Sequence, residues 1–151
     1  MRLDDIDWTI LDRLQRDGRI GFRELGRVVG LSAPAAAARV RKLEAAGIIA
    51  GYRALIDPER LGLRVLAFVR ISVPGGADAD DAVIAVAGEI PEIIDVYRVT
   101  GTETYLLHVL VPVVHDLEKV LRPLWRFGTT TTSVVMSVPI ADRPVTRAMV
   151  P

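Results

Sequence analysis

The side chains best able to do chemistry in this sequence form a basic cluster behind a run of alanines. The stretch SAPAAAARVRKLE begins at Ser32, and Arg39, Arg41 and Lys42 follow its four consecutive alanines. Guanidinium and ammonium groups at this density can neutralise phosphate groups. From Arg13 to Lys42 there are eight basic residues against two acidic ones, a net charge of +6 in a chain whose total net charge is zero. This segregation favours a phosphate-binding surface, and a basic helix face that is merely solvated is the alternative.

Three helices are expected to position this cluster. Apolar residues at helical spacing predict helices over residues 4–17 and 22–29. A third helix is expected to begin after Ser32, a good N-cap residue, with Pro34 in its first turn. A helix, a short helix, a turn containing Gly30 and a further helix make up the helix-turn-helix pattern.

The predicted elements divide the chain into two domains. The segment IIAGYRAL after the third helix indicates a short strand or wing, so we predict a winged helix-turn-helix domain over residues 1–55 and a linker over 56–62. Beyond the linker, apolar residues alternate as in strands. Strands are expected over 63–73, 92–101, 104–112 and 129–140, and helices over 79–90 and 115–127. Ile84 and Trp125 are expected to face the core from these helices, and alternation places Thr130 and Thr132 on the same side of the last strand. The order βαββαβ predicts a ferredoxin-like domain over 63–151 and an α+β fold class.

Composition excludes several classes of protein. The chain of 151 residues has no cysteine and only two histidines, which excludes a disulfide framework, a cysteine-based zinc site and a thiol nucleophile. Its longest apolar stretches have about ten residues, too few to span a bilayer. No phosphate-binding glycine loop or nucleophile elbow is present. We therefore expect a cytoplasmic protein that has no membrane partner, needs no cofactor or metal and is not an enzyme.

Six stretches of the chain are shared with one known family. They are LDDIDWTILDRLQRDGR, ELGRVVGLS, RVRKLEAAGIIAGYRALIDPERLG, FVRISV, VTGTETYLLHV and TTTTSVVM. Together they resemble the leucine-responsive and asparagine regulators (Lrp/AsnC, or "feast/famine") of prokaryotes, over nearly the whole chain. The resemblance implies a helix-turn-helix that binds double-stranded DNA, a C-terminal βαββαβ effector domain, dimers, and octamers built from four dimers.

In a helix-turn-helix the alanines would face DNA, because the N-terminal residues of the recognition helix lie in the major groove. Ala35 and Ala38 cannot hydrogen-bond a base edge, but they can meet a thymine methyl group. Specificity is then expected to rest on phosphate contacts and DNA bendability, although alanine also simply favours helix. Arg39 matches a family arginine that can also brace the fold. The predicted DNA-binding residues are Arg23, Ser32, Ala33, Pro34, Ala35, Ala38, Arg39, Arg41 and Lys42.

The VTGTETYLL turn resembles the family's effector loop, which commonly reads Gly-x-aromatic-Asp-Tyr. Gly101 and Tyr105 match it, while Glu103 stands at the aromatic position and Thr104 at that of the aspartate. Turn amides and threonine hydroxyls can bind a carboxylate, and Glu103 can bind an ammonium group, which suits an amino acid. A plain hairpin turn is the alternative. The predicted effector-binding residues are Val99, Thr100, Gly101, Glu103, Thr104, Tyr105, Thr130 and Thr132.

These features predict a DNA-binding transcriptional regulator whose assembly and DNA binding respond to a small-molecule effector, an amino acid. Two alternatives stay open. One is a tetrapyrrole-binding enzyme similar to sirohaem decarboxylases, in which His108 or His115 would serve, although each histidine is interpreted as structural. The other is an architectural DNA-binding protein that has no effector.

Overall fold

A computed structural model describes residues 2–74 and 77–150. The chain divides into two compact units. The first contains the described residues up to Leu55 together with those from Ile140 onwards, and the second is Ile56–Pro139. Among the described residues, no helix has the length and apolar character needed to cross a bilayer.

The first unit is built on three helices: α1 (Asp5–Arg16), α2 (Phe22–Val29) and α3 (Ala33–Ala45). Each lies where periodicity and capping predict it. The Asp4 carboxylate accepts the backbone N–H of Asp7 at 2.8 Å, and the Asp7 carboxylate accepts that of Asp4 at 3.2 Å. This capping box starts α1. The helices enclose a small core: Ile10, Leu11, Leu25, Val40 and Leu43.

The turn between α2 and α3 is unusually tight. The Leu31 N–H donates to the Gly26 carbonyl at 2.8 Å. A Cβ atom added to Gly26 would lie 2.5 Å from the Leu31 carbonyl oxygen. Glycine at this position therefore lets the turn pack directly against α2, which sets where α3 begins.

The second unit is a four-stranded antiparallel sheet with helices on one face. Its strands β1 (Val65–Ser72), β2 (Ile93–Arg98), β3 (Tyr105–Val111) and β4 (Thr129–Val134) are arranged in the order β2-β3-β1-β4. Helix α4 (Ala77–Gly88) follows β1, and helix α5 (Leu117–Leu121) follows β3. This is the predicted βαββαβ order.

Alternate residues of the central strands face the helices. Ala67, Val69 and Ile71 of β1 are fully buried with Leu107 and Val109 of β3. Helices α4 and α5 complete this core with Val83, Ala87, Leu117 and Val120, and Leu124 joins it from the turn after α5. The residues between them on both strands are only partly buried, so the sheet has one covered face and one open face.

Several local predictions were wrong. Ile84 and Trp125, expected in the core, are each 49% exposed. Helix α5 ends at Leu121, two residues before Pro123, because Arg122 still donates its N–H to the Glu118 carbonyl but Pro123 has no N–H to continue the helix. Strand β4 ends at Val134 rather than at residue 140. No strand forms within residues 48–55, so the single chain has no wing there.

Residues 140–150 belong with the first unit, whereas the sequence placed the whole of 63–151 in one domain. The Gln15 side chain hydrogen-bonds both backbone groups of Val145. Arg147 forms an ion pair with Asp5. Because the last strand ends early, the chain beyond it is available for these contacts with α1.

Candidate DNA-binding surface and effector site

Helix α3 has one buried face and one open face. Ala36, Val40 and Leu43 are buried. The exposed residues of the helix are Pro34, Ala38, Arg41, Lys42, Glu44 and Ala45. The Ser32 hydroxyl accepts the Ala35 N–H at 3.3 Å and so caps the helix. Small side chains thus surround the start of the open face, and the two cations Arg41 and Lys42 stand about two turns further along.

Arg39 binds two carboxylates at the start of α1. Its guanidinium donates to Asp7 at 3.0 Å and forms an ion pair with Asp4. Asp7 is only 4% exposed. The hydrogen bond from Arg39, reinforced by the backbone N–H of Asp7, lowers the pKa of Asp4. Arg39 therefore ties the recognition helix to the start of α1, which is the bracing role that the sequence offered beside DNA contact.

The other basic residues of this unit divide into paired and unpaired groups. Arg16 is paired with Asp12 at 2.9 Å, and Arg27 with Glu24 at 2.6 Å. The hydrogen bond from Arg27 lowers the pKa of Glu24. Within residues 2–74 and 77–150, no side-chain hydrogen bond or ion pair is found for Arg13, Arg19, Arg23, Arg41 or Lys42. These five cations of the +6 segment are available to phosphate.

The predicted effector turn between β2 and β3 is fastened to the end of β1. The Val99 N–H donates to the Thr104 carbonyl at 3.0 Å and closes the turn. The Thr104 N–H donates to the Ile71 carbonyl at 2.7 Å. The Ser72 hydroxyl donates to the Thr102 carbonyl at 2.9 Å. Gly101 has φ = 126°, a conformation that favours glycine. The turn is therefore a formed structural element of the sheet edge.

Two of the predicted effector residues pair with Ile71 across the sheet. Tyr105 is its partner on β3, and Thr130 is its partner on β4. Thr132 lies one pair further along β4, opposite Val69, on the same helix-covered face. Tyr105 is 1% exposed, and its hydroxyl has no hydrogen-bond partner among the described residues. Tyr105 is thus part of the core, and its hydroxyl is buried without a hydrogen bond to the described residues.

The two residues that depart from the family motif have different surroundings. The Thr104 hydroxyl accepts the Val73 N–H at 3.1 Å, so it holds the backbone where β1 ends. Glu103 is partly buried, and its carboxylate makes no hydrogen bond or ion pair with any residue the structure describes. Of these neighbours, Glu103 alone carries an uncompensated charge, which makes it the group able to take an ammonium ion.

The open face of the sheet mixes apolar and polar side chains. Leu66, Phe68, Leu106 and Leu110 are partly buried there. His108 Nδ1 lies 2.9 Å from Asp95 Oδ2, and its ring packs against that of Phe68 with centroids 5.5 Å apart. His108 is therefore used within the sheet, as expected for a structural histidine.

Two family models match the chain. An AsnC-type helix-turn-helix domain matches residues 3–44, and an Lrp/AsnC ligand binding domain matches residues 66–145. The chain belongs to the Lrp/AsnC family of transcriptional regulators. Its helix-turn-helix is thus the DNA-binding domain that the family model describes, and its sheet unit is the ligand-binding domain.

Individual Lrp/AsnC proteins agree with this assignment. The HTH-type transcriptional regulator YezC of Bacillus subtilis is 41% identical over 135 residues, which cover 89% of this chain and 94% of YezC. The leucine-responsive regulatory protein of Salmonella typhimurium is 42% identical over 120 residues, or 79% of this chain and 73% of that protein. A transcriptional regulator from Neisseria meningitidis, solved as an L-Met complex, superposes with a TM-score of 0.89 at 30% identity, over 95% of this chain and 96% of that one.

Two residues of the Lrp/AsnC ligand-binding domain escaped the sequence interpretation. The Arg98 guanidinium lies 5.9 Å from the centre of the Tyr105 ring and forms an ion pair with Asp80 of α4. Ser72 fastens the effector turn. Arg98 was detectable as a lone cation beside the turn in an acidic domain, whereas no sequence signal marks Ser72.

Proposed function

We propose that the protein binds double-stranded DNA by placing the open face of α3 in the major groove. The observation that carries this proposal is the pair Arg41 and Lys42, exposed and unpaired on a helix whose third cation, Arg39, is used internally. Phosphate neutralisation by such side chains supplies sequence-independent affinity. Arg23, also exposed and unpaired, is a further phosphate contact.

We propose that the start of α3 recognises DNA mainly by packing its small side chains close to the bases. Pro34, Ala35 and Ala38 offer no hydrogen bond to a base edge, while methyl groups can contact thymine. Ala33 lies at the same end, and Ser32 is engaged as the helix cap. We infer that sequence preference arises chiefly from phosphate positioning and from how easily the site bends.

Replacing Arg41 and Lys42 together by alanine tests the DNA surface. We expect weaker binding to specific and nonspecific DNA alike and a shallower dependence of log affinity on log salt, because each lost phosphate contact removes about 0.9 from the slope. Replacing Arg64 and Arg122 by alanine is the matched control, since both are exposed cations of the sheet unit. An unchanged salt slope in the Arg41 and Lys42 variant would contradict the proposal.

We propose that an amino acid is the effector and that it binds beside the Gly101–Tyr105 turn, near Thr130 and Thr132. Support comes from the unpaired carboxylate of Glu103, the turn amides that follow Val99, whose own N–H is taken by the Thr104 carbonyl, and the L-Met complex of the Neisseria relative. In this arrangement Glu103 accepts the ammonium group, and the amides and hydroxyls donate to the carboxylate. Thr104 acts by holding the turn.

Calorimetry with the twenty amino acids, on the natural chain and on Glu103→Gln, tests the effector site. We expect the variant to lose most of the affinity, because a charged hydrogen bond to the ammonium group is replaced by a neutral one; the loss should be about 10-fold or more. Glu89→Gln, at an exposed glutamate directly after α4, is the control. Unchanged affinity in Glu103→Gln would remove Glu103 from the site.

We further propose that the open face of the sheet joins two copies of the chain, because its partly buried leucines and Phe68 gain burial only from a partner. Higher assembly to octamers is proposed from the family. The protein is proposed to act in the cytoplasm and without catalysis, as its regulator relatives suggest. Light scattering of the full chain tests the assembly, and a monomer at all concentrations would contradict it.

A further inference from the structure

Residues 140–150, here called the tail segment, make a contact with α1 that neither DNA nor effector binding uses. The Gln15 side-chain amide donates to the Val145 carbonyl at 3.0 Å and accepts the Val145 N–H at 2.7 Å. These bonds join residues 130 positions apart in the sequence. An amide that pairs with both backbone groups of one residue imitates a neighbouring strand, so it recognises extended backbone.

An apolar groove of about 490 Å³ lies beside this contact. The helix side contributes Trp8, Leu11 and Leu14, and the tail segment contributes Val145 and Val150. These valines remain 56% and 49% exposed. The tail segment therefore rests on the groove without filling it, and little apolar area holds it in place.

The ionic contact of the tail segment reaches the same end of α1 that holds the recognition helix. Arg147 pairs with Asp5, and both side chains are largely exposed. Such a pair contributes little to stability. Its neighbours Asp4 and Asp7 bind Arg39 of α3. The start of α1 is thus shared between the tail segment and the recognition helix.

We propose that the groove on α1 is a peptide-binding surface whose resident ligand is the tail segment, and that this segment is a detachable part of the DNA-binding unit. The paired amide makes the contact specific, and the shallow burial makes it reversible. The ligand it fits is a peptide that is extended at the first of two apolar β-branched residues and makes one 3-10 turn, which begins with a cation, before the second, as Val145, Arg147 and Val150 do.

The consequence is topological. The chain passes from the first unit to the second after Leu55 and returns after Pro139. With the tail segment bound, two chain segments join the DNA-binding unit to the effector unit, and the second is held to the DNA-binding unit by non-covalent contacts alone. Release of the tail segment leaves a single chain segment between the two units. Binding of the tail segment to the groove therefore controls how the DNA-binding unit is tethered to the effector unit.

Trp8 fluorescence reports the occupancy of this groove. The chain has two tryptophans, and Trp125→Phe leaves Trp8 as the only one. In that background we expect Gln15→Ala in the full chain to shift the Trp8 emission to longer wavelength. Loss of two hydrogen bonds should lower the melting temperature of this unit by about 5–10 °C. Arg143→Ala is the matched control. Arg143 is an exposed cation of the tail segment whose side chain makes no hydrogen bond or ion pair with the described residues.

A synthetic peptide of residues 140–151 provides the second measurement. Added to a chain that stops at Pro139, it should restore the Trp8 emission saturably, and the same peptide with serine in place of Val145 and Val150 should not. A Gln15→Ala chain with unchanged emission and melting temperature overturns the proposal, even if the shortened chain fails to fold. A folded shortened chain that ignores the peptide also overturns it.

Discussion

Replacing Gly26 by alanine is expected to destabilise the helix-turn-helix unit, although alanine is the better helix former. The new Cβ would lie 2.5 Å from the Leu31 carbonyl oxygen and 3.2 Å from the Ser32 carbonyl carbon. Ordinary contact begins near 3.4 Å. The obstacle is backbone, which no rotamer change can move, so the turn itself must shift away from α2.

The size of the effect follows from three terms. Overpacking of this kind costs about 1–3 kcal/mol. The bond from the Leu31 N–H to the Gly26 carbonyl, 2.8 Å long, is weakened by the same shift, at about 1 kcal/mol. The gain in helix propensity returns about 1 kcal/mol. The net loss is about 2 kcal/mol, which lowers the melting temperature of a unit this small by about 8–16 °C.

Urea unfolding followed by Trp8 fluorescence in the Trp125→Phe background measures this loss. Gly21→Ala is the control, because a Cβ there meets nothing within 4 Å and the backbone has φ = −74°. DNA affinity should fall in the Gly26→Ala chain, since the displaced turn moves the start of α3. The reasoning is refuted if Gly26→Ala unfolds at the same urea concentration as the natural chain and binds DNA equally well.

The same steric argument applies to Gly128, where a Cβ would lie 2.0 Å from the Ser72 carbonyl oxygen. Gly128→Ala should detach the start of β4 and lower the stability of the sheet unit, whereas Gly88→Ala, in open space, should not; equal thermal unfolding of the two would contradict this. Because Arg39 lowers the pKa of Asp4 below its ordinary 3.8, their pairing stabilises the fold above that pH and is lost as the pH falls through the lowered value. Asp4→Asn should therefore be less stable than the natural chain at about pH 7, and in urea titrations this deficit should shrink as the pH falls through the lowered pKa of Asp4; a deficit that does not change with pH would count against the pair.

The family motif and the capping residues predicted much of both candidate sites. Ser32 was assigned as the cap of the recognition helix, and Ala36, Val40 and Leu43 as its buried face, because these features depend on residues within one or two turns. Thr130 and Thr132 were assigned to one side of a strand by alternation alone. In the effector turn, however, only the structure shows that Glu103 has no partner among the described residues and that the Thr104 hydroxyl holds the end of β1.

The amino-acid sequence by itself determined the elements, their order and the two-unit α+β plan, because helix caps, periodicity and strand alternation act over a few residues. Only the tertiary structure decided which side chains have hydrogen-bond or ion-pair partners within the protein. Arg39 meets Asp4 across 35 positions, and Gln15 meets Val145 across 130. Neither pair leaves a local pattern, since each partner is an ordinary surface residue of its own segment. The fold brings them together, and so determines which cations remain free for DNA and where the last residues of the chain bind.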